Sequence, residues 1–106
     1  MKKDKWTIDD IDDLTGKIFL VTGANSGIGF EATKVFSSKG AKVIMGCRNL
    51  EKAKGAKEDI LSEFPNALLD IIQLDLTSFK SIKEFSDKVI EKYSKLDVLL
   101  NNAGIM

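Results

Sequence analysis

Histidine is absent from this 106-residue chain, cysteine and proline occur once each, and neither sign of charge is in excess. Each scarcity excludes a class of function. With no histidine and with Cys47 alone, the chain cannot assemble a Cys/His zinc site or a His-based catalytic triad, and no internal disulfide can form. Cys47 has no base near it in sequence, so it reads as a small buried residue rather than a reactive thiol. Sixteen Lys and Arg balance sixteen Asp and Glu. No overall field therefore draws the chain to nucleic acid or an anionic membrane, and any anion site has to be local. No run approaches the roughly 18 apolar residues of a spanning helix. Met1 leads into lysines, Trp6 and aspartates rather than an apolar leader, so the expectation is a cytoplasmic protein without a membrane span.

What is present is a balance of 43% hydrophobic and 30% charged residues, the composition of an ordinary globular domain. The lone Pro65 and the lack of repeats or linker-like runs predict one continuous unit over residues 17–106, with residues 1–16 as a lead-in. In that lead-in, Asp9, Asp10, Asp12 and Asp13 surround Ile8, Ile11 and Leu14. The pattern suits a short amphipathic turn capped by Thr7, with a solvated acidic face rather than a cation site, since the ligand spacing of a calcium loop is missing.

From Lys17 onward, strand and helix patterns alternate. Ile18-Phe19-Leu20-Val21 is a continuous apolar run of the kind buried on both faces of a sheet. A glycine-rich turn follows, then a helix with Ile28, Ala32, Val35 and Phe36 on one side, ended by Gly40. Val43-Ile44-Met45 predicts a second strand. Residues 50–64 predict a helix whose Ala53, Ala56, Ile60, Leu61 and Phe64 share a face, stopped by Pro65 and Asn66. Leu68 to Leu74 predicts the third strand. Thr77 or Ser78 can cap a third helix with Ile82, Phe85, Val89, Ile90 and Tyr93 inward, and Val98-Leu99-Leu100 is the fourth strand. This alternation implies right-handed crossovers and an α/β fold, a Rossmann-like parallel sheet with helices on both faces. The dinucleotide-binding plan would order its strands 3-2-1-4. That order puts an apolar strand at an edge just before Met106, so the expectation is a sheet truncated after its fourth strand and a chain that is the front part of a longer protein.

The chemical signal lies in Thr22-Gly23-Ala24-Asn25-Ser26-Gly27-Ile28-Gly29, directly between the first strand and the first helix. A phosphate at a helix N-terminus meets unpaired backbone N–H groups and the positive end of the helix dipole. Gly23 permits a tight turn, Gly27 lets backbone approach a pyrophosphate, and Gly29 lets the helix pack close to the sheet. Taken alone, the segment could be a plain tight turn. A Walker-type loop is excluded because Ile28 and Gly29, not Lys and Ser/Thr, follow Gly27.

This turn, with Asp75-Leu76 after the third strand, Asn101-Asn102-Ala103-Gly104 after the fourth and Leu14-Thr15-Gly16-Lys17 before the first, resembles the short-chain dehydrogenase/reductase family. It is most similar to the branch of retinol dehydrogenases, WW-domain oxidoreductases and protochlorophyllide reductases. The resemblance implies that Gly23, Asn25, Ser26, Gly27, Ile28 and Gly29 hold the cofactor phosphates and adenosine ribose. It implies that Asp75 accepts a hydrogen bond from the adenine amine with Leu76 at the pocket wall, and that Asn102, Ala103 and Gly104 line the ribose side. Asn101 would tie neighbouring strands together. Asp75 also has a plainer reading as a helix-capping or solvated carboxylate.

Cofactor choice turns on Met45-Gly46-Cys47-Arg48-Asn49. Cys47 stands where NAD-preferring members place an acid, and Arg48 can present a planar fork to a phosphate, so NADP(H) is expected over NAD(H). The alternative for Arg48 is an ordinary surface arginine.

Hydride transfer in the family uses a Tyr and a Lys four residues apart, a Ser upstream and an Asn, all beyond the Asn-Asn-Ala-Gly segment. The chain's one tyrosine, Tyr93, is followed by Asp97 and reads as a core or rim aromatic. No catalytic residue and no metal ligand is expected here. Two functions remain: the inactive NADP-binding portion of a short-chain oxidoreductase acting on a small carbonyl or alcohol, or a non-catalytic nucleotide-binding or interaction module. A homo-oligomer is compatible with the family, whose usual dimer helices would lie beyond Met106.

Overall fold

Apolar residues run unbroken through Phe19, Leu20 and Val21, and successive side chains of a strand point to opposite faces, so a sheet built on this run needs cover on both sides. The computed structural model, which describes residues 13–25 and 27–101, supplies that cover. In chain order the elements are β1 (Ile18–Thr22), α1 (Gly27–Ser38), β2 (Lys42–Cys47), α2 (Leu50–Glu63), β3 (Leu68–Gln73), α3 (Phe79–Lys92) and β4 (Val98–Asn101). The strands are all parallel and lie in the order β3-β2-β1-β4. This is the expected Rossmann-like arrangement. Leu20 lies opposite Ile44 on one side and Leu99 on the other.

Phe19, Val21, Val43, Met45, Cys47 and Leu69 face a layer made by Phe30 and Phe36 of α1 and by Ala53, Ala56 and Ile60 of α2. Leu20, Ile44, Ile72 and Leu74 face the other way, against Phe85, Ile82, Val89 and Tyr93. Two helices cover the first face and α3 the second. Asn49 caps α2 by accepting from the Lys52 amide at 3.1 Å, and Ser78 caps α3 by accepting from the Ser81 amide at 3.2 Å. Ser78, not Thr77, is thus the cap of the third helix.

Two helix faces differ from expectation. In α1 the buried stripe is Gly29, Thr33 and Ser37, one residue every four, while Ile28 is 71% exposed. Small side chains let the helix sit close to the sheet, and their hydroxyls turn back on the helix: Thr33 Oγ1 donates to the Gly29 carbonyl at 2.8 Å and Ser37 Oγ to the Thr33 carbonyl at 2.7 Å. Close approach wins over hydrophobicity at this interface. In α3, Ile90 is 75% exposed. One step past Val89 rotates a side chain by about 100° around a helix, which carries it off the stripe of residues 82, 85, 89 and 93.

At the amino ends of the strands the lead-in is tied down. The Leu14 amide donates to the Lys39 carbonyl at 2.8 Å, and the Lys42 amide to the Lys17 carbonyl at 2.9 Å. Leu14 packs partly buried against the first core layer. The Thr7-capped turn and Asp9, Asp10 and Asp12 lie outside the described residues.

Candidate functional site at the carboxyl ends of the strands

The chain leaves β1 at its carboxyl end and bends at once, with the Gly23 amide donating to the Gly46 carbonyl of β2 at 2.8 Å. Gly23 has φ +66° and Gly27 φ +56°. That left-handed region is costly for residues with a Cβ, so the bend needs glycine at both points. α1 begins at Gly27 and has no acidic residue in its first turn, which leaves the positive end of its dipole uncompensated there.

The bend offers room as well as field. A Cβ at Gly27 would meet nothing within 4 Å. Beside it lies an open cleft of about 580 Å³, lined by Asn25, Gly27 and Phe30 on one side and by Lys52, Gly55, Ala56 and Asp59 of α2 on the other. Gly29 is buried against the sheet as close packing requires, and Ile28 projects to solvent. A diphosphate therefore fits the described part of this turn: donors and dipole are present, and no side chain grows from Gly27 to exclude it. Ser26 lies outside the described residues.

The ends of β2 and β3 are laced together next to the bend. The Leu74 amide donates to the Cys47 carbonyl at 2.9 Å, and Gln73 Nε2 donates to the Arg48 carbonyl at 3.3 Å. Cys47 is buried. Burial pushes its thiol up from the usual value, partly offset by the Ala24 and Asn25 amides that point at its sulfur. Arg48 leaves this lacing with its side chain 77% exposed.

Asp75 is held from several sides. Its Oδ1 accepts from the Thr77 amide at 3.0 Å and from Thr77 Oγ1 at 2.6 Å, while its own amide donates to Ser81 Oγ at 2.8 Å. Its Oδ2 lies 3.9 Å from Arg48 Nε. The Thr77 hydroxyl and amide, with a smaller contribution from Arg48, hold the carboxyl below its usual range. Asp75 is not the cap of α3, which is Ser78; Thr77 holds one of its oxygens and Arg48 faces the other. Leu76 is exposed beside it.

Gly23, Asn25, Gly27, Ile28, Gly29, Arg48, Asp75 and Leu76 thus all stand at the carboxyl ends of β1, β2 and β3. Asn101 ends β4 opposite Thr22, and Asn102, Ala103 and Gly104 lie outside the described residues. Sequence reasoning missed Gln73, which anchors Arg48, and the Thr77 and Ser81 contacts that orient Asp75. The Asp-x-Thr spacing was the available signal, since such pairs close small side-chain turns.

Tyr93 stands elsewhere. Its hydroxyl donates to Asp70 Oδ2 at 2.5 Å, on the side of the sheet where β2 and β3 begin. Burial and the Asp70 carboxylate push the phenol well above its usual pKa.

The sequence model of the short chain dehydrogenase family matches residues 17–106. Human retinol dehydrogenase 13 is 43% identical over 93 residues, which are 88% of this chain and 28% of that protein. The WW domain-containing oxidoreductase of Gallus gallus is 43% identical over 93 residues, 88% of this chain and 22% of that one. Among solved structures, a short chain dehydrogenase from Escherichia coli CFT073 complexed with NADPH superposes with a TM-score of 0.78 at 34% identity, covering 89% of this chain and 40% of that one. Menthone neomenthol reductase from Mentha piperita gives a TM-score of 0.77 at 36% identity over 84% of this chain and 32% of that one. The chain spans less than a third of the length of these two curated relatives.

Proposed function

The chain belongs to the short-chain dehydrogenase family, and we propose that it forms the NADP(H)-binding portion of an oxidoreductase acting on a small carbonyl or alcohol. The observation that carries this reading is the bend from β1 into α1, with Gly27 at φ +56° facing open space at the start of an acid-free helix turn. When bound, the cofactor supplies or accepts hydride, and the protein supplies binding, orientation and electrostatics. In this reading the turn of Gly23, Asn25, Ser26, Gly27, Ile28 and Gly29 holds the diphosphate and adenosine ribose through its backbone and side-chain groups, with Gly23 making the bend and Gly27 leaving room. Asp75 takes the adenine amine, Leu76 forms the pocket wall, and Asn102, Ala103 and Gly104 border the ribose.

Arg48 is assigned to the 2'-phosphate. The end of β2 presents no carboxylate to accept a ribose hydroxyl, and the exposed guanidinium is free to turn toward an anion. The NADPH complex of a relative with the same fold supports this choice. The proton-handling residues of the reaction are assigned to parts of the protein outside this chain, because Tyr93 is committed to Asp70 at the opposite end of the sheet.

Calorimetric titration with NADPH and NADH tests the reading. Both bind, NADPH more tightly, and Arg48→Ala weakens NADPH by about tenfold or more, the worth of a charge-assisted contact. A preference for NADH, or an Arg48→Ala variant with unchanged NADPH affinity, overturns the role given to Arg48.

A further inference from the structure

We propose that the groove between the carboxyl-terminal ends of α1 and α2 is the docking site of this chain's own residues 5–12, with Trp6 seated in it. The groove opens at the amino end of the sheet, far from the cofactor turn, and has a volume of about 290 Å³. Ser38 and Gly40 wall it on one side, and Glu63, Phe64, Pro65 and Ala67 on the other. Phe64 and Ala67 pack against the first core layer but stay only partly buried, so apolar surface lies open between two helix ends. The described chain begins at the rim of this groove. The Leu14 amide is tied to the Lys39 carbonyl at 2.8 Å, and a Cβ at Gly40 would stand 2.6 Å from Thr15 Oγ1 and 3.3 Å from Asp13 Oδ1. Whatever course the preceding residues take, they start at the Gly40 wall.

Those residues carry the complementary chemistry. Ile8, Ile11 and Leu14 recur every third residue, the spacing that gathers side chains on one face of a helical turn. Leu14 already packs on the first core layer, so the same face continued backward brings Ile11 and Ile8 over the groove. With Thr7 as the cap, Trp6 stands just before the turn and Ile11 at its fourth position, the two places that pack together in a hydrophobic staple. Wound as a helix, the stretch from Ile8 to Asp13 spans about 9 Å, enough to cross from one packed helix to its neighbour. Charge agrees with this course. The last turn of α2 holds Glu63 and no basic residue, which sets a carboxylate at the negative end of the helix dipole, with Lys34 Nζ 2.8 Å from its Oε2. Lys2, Lys3 and Lys5 precede Trp6 and bring positive charge to that end.

Trp6 is the chain's one tryptophan, so its emission reads the seat directly. In the folded protein the emission lies at shorter wavelength than in the urea-unfolded chain, and iodide quenches it more slowly. Ser38→Phe fills the groove from the exposed last residue of α1, and Glu63→Lys sets a cation against the lysines of the docking segment. Both variants move Trp6 emission toward the unfolded wavelength and speed its quenching. A lysine at the end of α2 favours that helix by itself, so a loosened Trp6 in Glu63→Lys reports the docked segment and not a damaged helix. Trp6→Ala lowers the melting temperature by about 4 °C or more, as truncating a buried aromatic does in a domain of this size. Emission matching the unfolded chain, a shielded Trp6 that neither groove variant moves, or a Trp6→Ala variant with an unchanged midpoint overturns the proposal. Should Ser38→Phe fail to fold, Glu63→Lys keeps the test decisive.

Discussion

The two ends of the parallel sheet use the same residue types for opposite purposes. At the amino ends, aspartates are spent on the scaffold. Asp97 Oδ2 accepts from the Ile18 amide at 2.7 Å while the Asp97 amide donates to the Ile18 carbonyl at 2.8 Å, which closes β4 onto β1. Asp13 Oδ1 accepts from the amide and hydroxyl of Thr15, and Asp70 gathers Tyr93 and Lys92 at the foot of α3. At the carboxyl ends, polar groups stay reachable. Arg48 is mostly exposed, Gly27 opens onto space, and Asp75 keeps one oxygen on a partner that can swing away. Crevices at the carboxyl ends of such sheets are where ligands bind, and the local difference is narrow: Asp13 and Asp75 each close a turn on a threonine two residues on, but the second oxygen of Asp75 faces the exposed Arg48 guanidinium.

Four substitutions can break this contrast. The largest effect is expected from Gly27→Val, which fills the open space with a β-branched side chain in the left-handed region. NADPH affinity falls by about a hundredfold or more, the worth of one or two charge-assisted hydrogen bonds, while calorimetric melting shows the fold retained. Arg48→Ala comes next. It costs about tenfold or more in NADPH affinity and leaves the melting temperature nearly unchanged, because the side chain packs against little.

At the amino end the effects reverse, with stability lost and cofactor preference kept. Gly40→Ala places a Cβ 2.6 Å from Thr15 Oγ1 at φ +98°, a strain of about 1–2 kcal/mol. Denaturant unfolding registers that loss, and the ratio of NADPH to NADH affinity stays put. Tyr93→Phe removes the donor to Asp70 and costs about 1 kcal/mol. It also alters the acid limb of stability. Burial alone would raise the Asp70 carboxyl, but Tyr93, Lys92 and Lys42 together hold it below its usual value. A depressed folded pKa means stability that is present above the unfolded carboxyl range and lost as pH falls through the folded value. In Tyr93→Phe that loss is smaller, so the unfolding free energy falls less steeply with acid.

The sheet was legible because its strands are apolar on both faces and its turns are marked by Gly40 and Pro65, signals that survive without any knowledge of packing. The glycine bend was legible because φ above zero and close backbone approach leave glycine few substitutes. Less was visible where small residues do the packing. The Gly29, Thr33 and Ser37 stripe of α1 carries little hydrophobicity, so Ile28 looked like the inward residue although it faces solvent. Ile90 misled for the related reason that it adjoins Val89 in sequence but not on the helix surface. At the site, Arg48 and Asp75 were each readable from their positions after β2 and β3. Their contact was not, since it depends on how Gln73 and Thr77 fix the two strand ends relative to each other.

The central claim is that the amides of the bend between β1 and α1 grip a diphosphate. Amide chemical-shift mapping during an NADPH titration tests it most directly. The account predicts the largest shifts at Gly23 to Gly29, with the amides of Leu14, Lys17 and Asp97 at the other end of the sheet unmoved. Largest shifts at the amino end, or a bend that stays silent while NADPH binds, would contradict it.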